Sequence, residues 1–311
     1  MFDPSLLDNR AFYGMNVALR QMTHFPKCLA LPVWQQHGLY CSSKFGIADY
    51  PEAKRAGIML VFSKRMQDLW NRNYDVPCFI GGLMLARYRR FMGWKQNPDA
   101  RGTIFFAAHS VGKMIAKYDI EAIHQQLSML PDGFQPVTIS LHYYDCEVLH
   151  LDELYRAKGY EVFTAGPGGL SDYPQKFYRN LCRHKYACSN DVGTFILYSL
   201  EMDMPFFMIG DRPKVVVENG NSENLTPGVY DFTRTGLAKD VYDLFDTGPQ
   251  KNISEEQKKW FREEAGMDEE CDLMELRKMM MQPKYWIPAA IRFFGLHLKI
   301  GFARIAEGRW D

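Results

Sequence analysis

Residues 188–210 read Cys188-Ser189-Asn190-Asp191-Val192-Gly193-Thr194, then an apolar run carrying Glu201, then Pro205-Phe206-Phe207-Met208-Ile209-Gly210. A loop of small polar residues and glycine leads into a run at helical spacing, and an apolar stretch of strand length follows at once. Loop, helix, strand in that order is one step of a parallel α/β fold. The backbone N–H groups at the helix start point where an anion can sit, so the loop reads as a phosphate cradle. Ser and Asn also favour this turn as caps, and the same shape serves an ordinary strand-loop-helix step.

The same grammar runs back to residue 103. Strands are predicted over 103–108, 136–141, 160–165, 185–188 and 206–209, with helices over 117–130, 147–158, 172–181 and 192–202 between them. Ile120, Ile123, Leu127 and Leu130 set the helical spacing of the first, and Gly166-Pro167-Gly168-Gly169 closes the third strand. Alternation of this kind builds a parallel sheet with crossover helices. A shorter version precedes it, with strands over 28–33, 57–62 and 76–80, a helix over 64–71, and Gly81-Gly82 as a closing turn. Residues 92–101, with Gly93 and Pro98, read as the linker. The expected fold is α/β, with two Rossmann-like parallel-sheet domains over 1–95 and 103–250 and a helical extension over 251–311 that packs on the cleft or the N-terminal domain.

Composition agrees with that division. A chain of 311 residues, 47% hydrophobic, can bury one large core or two modest ones. Its start, Met1-Phe2-Asp3-Pro4, lacks the charged-then-apolar order of a signal peptide, and no run of 18 uncharged apolar residues occurs, so a cytoplasmic protein is expected. Seven cysteines without a CxxC pair predict neither disulfides nor a zinc site. The 37 basic and 37 acidic residues cancel, yet residues 50–117 hold 12 Lys and Arg against four acids, among them Arg87, Arg89, Arg90, Arg101, Lys113 and Lys117. An anionic ligand is favoured there, or a solvated basic face. No basic-aromatic module appears, so nucleic acid is not an expected partner.

Beyond 211 the grammar changes. Residues 212–250 read as loop, and Ser254-Glu255-Glu256-Gln257 is a capping box opening a helix over 255–265. In a last helix over 288–307, Ile291, Phe294, Leu298, Phe302 and Ile305 share a stripe, with Arg292, Lys299 and Arg304 off it. Residues 284–309 carry five Lys and Arg and one acid. Such a helix lies in a membrane interface or docks its apolar stripe on its own domain.

Three histidines fall at predicted strand ends, the functional rim of parallel sheets: His37 before Gly38, His109 before Ser110, and His142. An imidazole beside a closely approachable glycine suits a general base. The run His109-Ser110-Val111-Gly112-Lys113 offers imidazole, hydroxyl and ammonium at the start of a predicted helix, a phosphate grip. Gly81 closes the strand over 76–80 and Gly166 the strand over 160–165, and both are expected in the cleft. Glu201, on the helix that starts at Thr194, can accept from a ribose or stand as a surface acid. Asp145, Asp191, Glu201 and Asp211 make no DxD pattern, and His142, Asp145 and His150 lack ligand spacing, so no metal is expected.

Together, Trp34…His37-Gly38, the strand before His109-Ser110, and Ser189-Asn190-Asp191-Val192-Gly193-Thr194…Glu201…Pro205 resemble GT-B-fold glycosyltransferases of bacterial surface-polysaccharide synthesis. The pattern is similar to the group holding polysialyltransferases, Kdo transferases and CDP-glycerol glycerophosphotransferases, over about residues 30–210. This chain has Ser110 where those proteins carry Pro, and Ser-Asn-Asp-Val-Gly-Thr where they carry adjacent Ser or Thr. The resemblance implies metal-independent, inverting transfer from a CMP-activated or other nucleotide-sugar donor to a hydroxyl of a glycan or glycolipid, in capsule or lipopolysaccharide synthesis. Carried over, it implies His37 as base or acceptor contact, His109 and Ser110 at the donor phosphates, and Ser189, Asn190, Gly193 and Thr194 in a second phosphate grip; by their own positions in the sequence Lys113 and Glu201 join the nucleotide site, and Gly38, Gly81, His142 and Gly166 the rest of the cleft. The work would take place at the inner face of the cytoplasmic membrane. A sugar-nucleotide epimerase of the same fold and a non-catalytic scaffold are the competing readings.

Overall fold

Apolar runs without polar alternation become strands, because parallel strands are covered on both faces. In the computed structural model, which describes residues 12–41, 49–217, 226–234 and 236–306 and the side chains of those from 13 to 296, the chain is α/β with two parallel sheets. It divides into two compact units: one of residues up to His37, Ile47–Phe91 and from Glu263 on, the other of Gly38–Gly46 and Met92–Arg262.

The first unit opens with α1 (Met15–Thr23) and a three-stranded parallel sheet, β1 (Trp34–Gln35), β2 (Met59–Val61) and β3 (Cys78–Ile80), in that spatial order. Residues 58–62 are all at most 3% exposed, so β2 is the spine of this core. Helices α2 (Tyr50–Ala56), α3 (Lys64–Asn73) and α4 (Met84–Met92) connect and cover it. In α3, Met66 and Trp70 sit one turn apart and are buried, and the Trp70 indole donates to the Val76 carbonyl at 2.8 Å. The strand expected over 28–33 does not form. Pro32 lacks an N–H for a ladder, and Arg20 holds the segment as a turn by donating to the carbonyls of Pro26 and Leu29 at 2.6 and 2.9 Å. Pairing starts only at Trp34, and Cys28 is exposed.

The second unit is built on five parallel strands. In chain order its elements are β4 (Thr103–Phe106), β5 (Met114–Lys117), α5 (Ile120–Ser128), β6 (Val137–Ser140), α6 (Tyr143–Glu147), α7 (Leu151–Ala157) and β7 (Glu161–Phe163). Then come α8 (Tyr173–Leu181), β8 (Tyr186–Ser189), α9 (Thr194–Glu201), β9 (Phe206–Met208), β10 (Lys214–Val217), β11 (Gly228–Tyr230) and α10 (Gly236–Phe245). The main sheet runs β7-β6-β4-β8-β9, which in order of appearance is 3-2-1-4-5. Ile139, Phe105, Cys188 and Phe207 lie in register across it, each 0% exposed, and pack against Ile123, Leu127 and Phe134. On the neighbouring register, Phe106 stacks on Phe195 at 4.8 Å.

Three expectations fail here. The described residues of 212–250 are not all loop: β10 pairs antiparallel with β5 and β11, and α10 buries Ala238, Val241, Tyr242 and Phe245 along one face. The helix expected from 117 starts at Ile120, because Asp119 caps it by accepting from the Glu121 and Ala122 N–H groups at 2.8 and 3.0 Å. Residues 114–117 before it are strand. The helix expected over 147–158 is split in two at His150, whose φ is +52°.

Helix α11 (Glu255–Ala265) leads back to the first unit, which α12 (Leu273–Met280) and α13 (Pro283–Ala306) complete. This return neutralises much of the basic excess read in residues 50–117. Glu264 takes Arg65 in a bidentate pair at 2.7 Å, and Glu270 pairs with Arg87 at 3.4 Å and Arg90 at 2.8 Å. Arg87 also donates to the carbonyls of Gly81 and Cys271 at 3.0 and 2.9 Å. These three cations pin the chain rather than await a ligand.

Helix α13 packs on α2, where the Arg292 guanidinium donates to the Lys54 carbonyl at 3.0 Å. Its docking face holds Ala289 and Phe293, at 0% and 1% exposure, and not the stripe that contains Ile291 and Phe294. The rest of that stripe, Leu298, Phe302 and Ile305, and the flanking Lys299 and Arg304 lie outside the described side chains. Among the described residues no helix is long and apolar enough to cross a membrane.

Candidate functional site

In the first unit the chemistry gathers at the end of β1. Asp49 stands at the N-cap of α2 but does not cap it, because its carboxylate turns inward. There it accepts from the Trp34 indole N–H at 2.8 Å, the His37 backbone N–H at 3.3 Å and the His37 ring Nδ1 at 2.5 Å. Asp49 is 1% exposed and the His37 side chain 29%. A carboxylate only accepts, so Nδ1 carries a proton, and in the neutral ring Nε2 keeps the lone pair, the tautomer a base requires. Tyr13 closes the group: burial and then the Asp49 charge lift its phenol. Gly38 follows His37 with open space where a Cβ would stand. Gly81, at the end of β3, serves packing: its N–H donates to the Val61 carbonyl at 2.8 Å, and a Cβ would come within 3.1 Å of that of Leu60.

Asp49 escapes a reading of the sequence. It precedes Tyr50-Pro51-Glu52, the composition of a helix start, and so looks like a cap. No spacing connects it to His37.

In the second unit the strand order reverses between β4 and β8, and the crevice outside the carboxyl ends of strands at such a switch point is where open α/β sheets bind ligands. The structure brings His109, Ser110, His142, Ser189, Asn190, Gly193 and Thr194 to this rim. Asn190 is its clip. The Asn190 side chain accepts from the Ala108 N–H at 2.8 Å and donates to the Asp211 carbonyl at 2.9 Å, and its own carbonyl receives the Tyr242 hydroxyl at 2.6 Å. Ser189, 0% exposed, donates to the Phe106 carbonyl at 2.6 Å and accepts from the Asp191 N–H at 2.9 Å. Both side chains are spent on holding the loops.

Ser110 is engaged in the same way. Its N–H meets both oxygens of buried Asp145 at 3.2 Å, its hydroxyl donates to that carboxylate, and the same oxygen accepts from the Ala116 N–H at 3.0 Å. His142 uses both ring nitrogens: Nδ1 accepts from the Tyr144 N–H at 3.3 Å, and the other meets the Ser110 carbonyl. Burial lowers the His142 pKa, so the ring is neutral. The exposed His109 ring lies 5.1 Å from it. The phosphate grip expected at a helix start after His109 is not built that way. Val111 and Met114 bridge each other around Gly112 at φ +56°, so exposed Lys113 sits on a turn leading into β5.

The helix start that does face the rim is that of α9. Gly193 is its N-cap, in extended conformation and with no side-chain cap. Beside it burial lifts the Asp191 carboxyl to about 6, against the donated Val192 N–H. Glu201 ends the same eight-residue helix, about 10 Å from Thr194, on the side where β9 begins. The structure therefore separates Glu201 from the rim. Gly166, at φ +81°, turns the chain after β7. A cavity of about 320 Å³ opens beyond Asn190, lined by Gly210, Arg212, Tyr242 and the end of α5, with the Arg212 guanidinium 4.2 Å above the Tyr242 ring.

Asp145 carries a testable consequence. Burial raises its carboxyl from 3.8 to about 6, so the folded protein favours the protonated form. Its contribution to stability is complete below about pH 4 and is lost as pH rises through 6. Asp145→Asn should therefore gain on the native protein by about 2 kcal/mol between pH 4 and 6.5 in paired denaturant titrations, and a difference independent of pH would refute this.

No family model matches the chain and no curated protein is significantly similar to it, so function is argued from these two constellations.

Proposed function

We propose that the protein is a glycosyltransferase that moves a sugar from a nucleotide-activated donor to a hydroxyl acceptor. The observation that carries the reading is the 3-2-1-4-5 sheet, with His109 and the open start of α9 at its switch point. The second unit then takes the nucleotide, whose phosphates lie at the N–H groups of Thr194 and Phe195 with His109 and Lys113 near. We assign the base to the first unit, in the manner of a GT-B enzyme. His37 Nε2 removes the acceptor proton, the freed oxygen bonds to the anomeric carbon, and the bond from that carbon to the phosphate oxygen breaks with its electrons leaving on the nucleotide. The sequence resemblance favours a cytidine nucleotide and a surface-polysaccharide acceptor.

A thermal-shift screen against CMP, CDP, UDP and GDP tests the donor half. A nucleotide at 100 times its Kd stabilises by about 2.7 kcal/mol, and no shift with any of the four would overturn the reading. Turnover of a nucleotide-sugar without an acceptor would point instead to an epimerase.

The Asp191 carboxyl adds a pH signature. At pH 7.5 it is ionised and repels a phosphate, and as pH falls through about 6 it becomes neutral. Asp191→Asn should bind the nucleotide about three- to tenfold more tightly at pH 7.5, with the advantage gone by pH 5, when both proteins are titrated calorimetrically. Equal affinities at pH 7.5 would remove Asp191 from the phosphate site.

A further inference from the structure

We propose that α13 seats the protein on an anionic lipid surface through the stripe of Ile287, Ile291 and Phe294. These side chains are 41%, 68% and 50% exposed, and their spacing of four and three residues puts them on one face. The helix is already anchored by its other side, through Ala289, Phe293 and the bond from Arg292 to α2, so the stripe is not needed for docking on the unit. The sequence keeps the register with Leu298, Phe302 and Ile305.

The charges beside the stripe choose the occupant. Residues 283–296 contain Lys284 and Arg292 and no acid, and Lys54 is exposed on α2, the helix against which α13 packs. Glu52 of that helix is already paired with Arg55 at 2.6 Å. Half-exposed Tyr285 and Trp286 supply the amphipathic rings that settle at headgroup level. An apolar stripe edged by cations matches a bilayer bearing anionic headgroups, whereas a second copy of the chain would bring the same cations against it. With no helix fit to span among the described residues, the contact is one of lying in the interface. The inference stands apart from sugar transfer and survives its failure.

The full chain should co-sediment with vesicles of phosphatidylglycerol and phosphatidylcholine, and much less with phosphatidylcholine alone or in about 0.5 M salt. Ile291→Asp combined with Phe294→Asp should weaken the binding at least about tenfold while Tm stays unchanged, since both positions are exposed. Absence of vesicle binding, or binding that the double variant retains, would overturn the proposal. So would a dimer in light scattering that the variant reduces to a monomer without any lipid affinity, which would make the stripe an interface between copies.

Discussion

Asp49→Asn should lower turnover by about 10²- to 10⁴-fold while leaving the thermal shift by nucleotide intact. The Trp34 indole and His37 Nδ1 reach the same carboxylate oxygen, at 2.8 and 2.5 Å, so an asparagine that keeps its oxygen there still receives both, while its amide nitrogen replaces the oxygen that accepts from the His37 backbone N–H. The tautomer is kept, but the negative charge that stabilises the imidazolium formed when Nε2 takes the acceptor proton is gone, and the base is weakened. His37→Ala should cost about as much, and the double variant little more, because the two residues act as one unit. Steady-state rates on a nucleotide-sugar with acceptor decide this. A loss within threefold for Asp49→Asn would show that the pair is structural.

Asn190→Ala should destabilise the second unit by about 3 kcal/mol, seen as a lower denaturant midpoint with unchanged slope. The substitution leaves the Ala108 N–H and the Asp211 carbonyl without their partners, in a place where Asn190 is 1% exposed and little water can replace it. Ser189→Ala removes one hydroxyl from the same rim and should cost less, about 1 to 2 kcal/mol. If Asn190→Ala is neutral, the crevice is not held open by this clip, and Asn190 becomes available as a ligand contact.

The five strands of the main sheet were readable because each holds a short apolar run; four formed within the residues that predicted them, and β8 runs one residue further, to Ser189. The three-stranded antiparallel sheet was not. Val215, Val216 and Val217 form a strand only because Ala116, Ile115 and Met114, about 100 residues earlier, lie opposite them, and no local pattern announces that partner. The same reason hid the acids that answer Arg65, Arg87 and Arg90, and the carboxylate that orients His37. At the candidate site, sequence placed Asn190, Ser189 and Ser110 correctly on the rim but not their use, since a buried amide or hydroxyl is claimed first by orphaned backbone groups. The stripe of α13 was legible as a stripe. Which way it faces depends on where Ala289 and Phe293 find a partner.

The first unit is assembled from pieces made far apart in time. Glu264 meets Arg65 across 199 residues and Glu270 meets Arg90 across 180, with the Met92–Arg262 part of the second unit lying between. As the chain leaves the ribosome, the second unit is complete once Arg262 has emerged, whereas the first stays open until its last helices follow. During that interval Arg65, Arg87 and Arg90 and the end of the β2 strand have no cover. Nascent chains halted before Glu264 are therefore the ones that present an unfinished half to chaperones and proteases, and loss of the tail would unfold the half that bears His37 while sparing the half that bears Asn190.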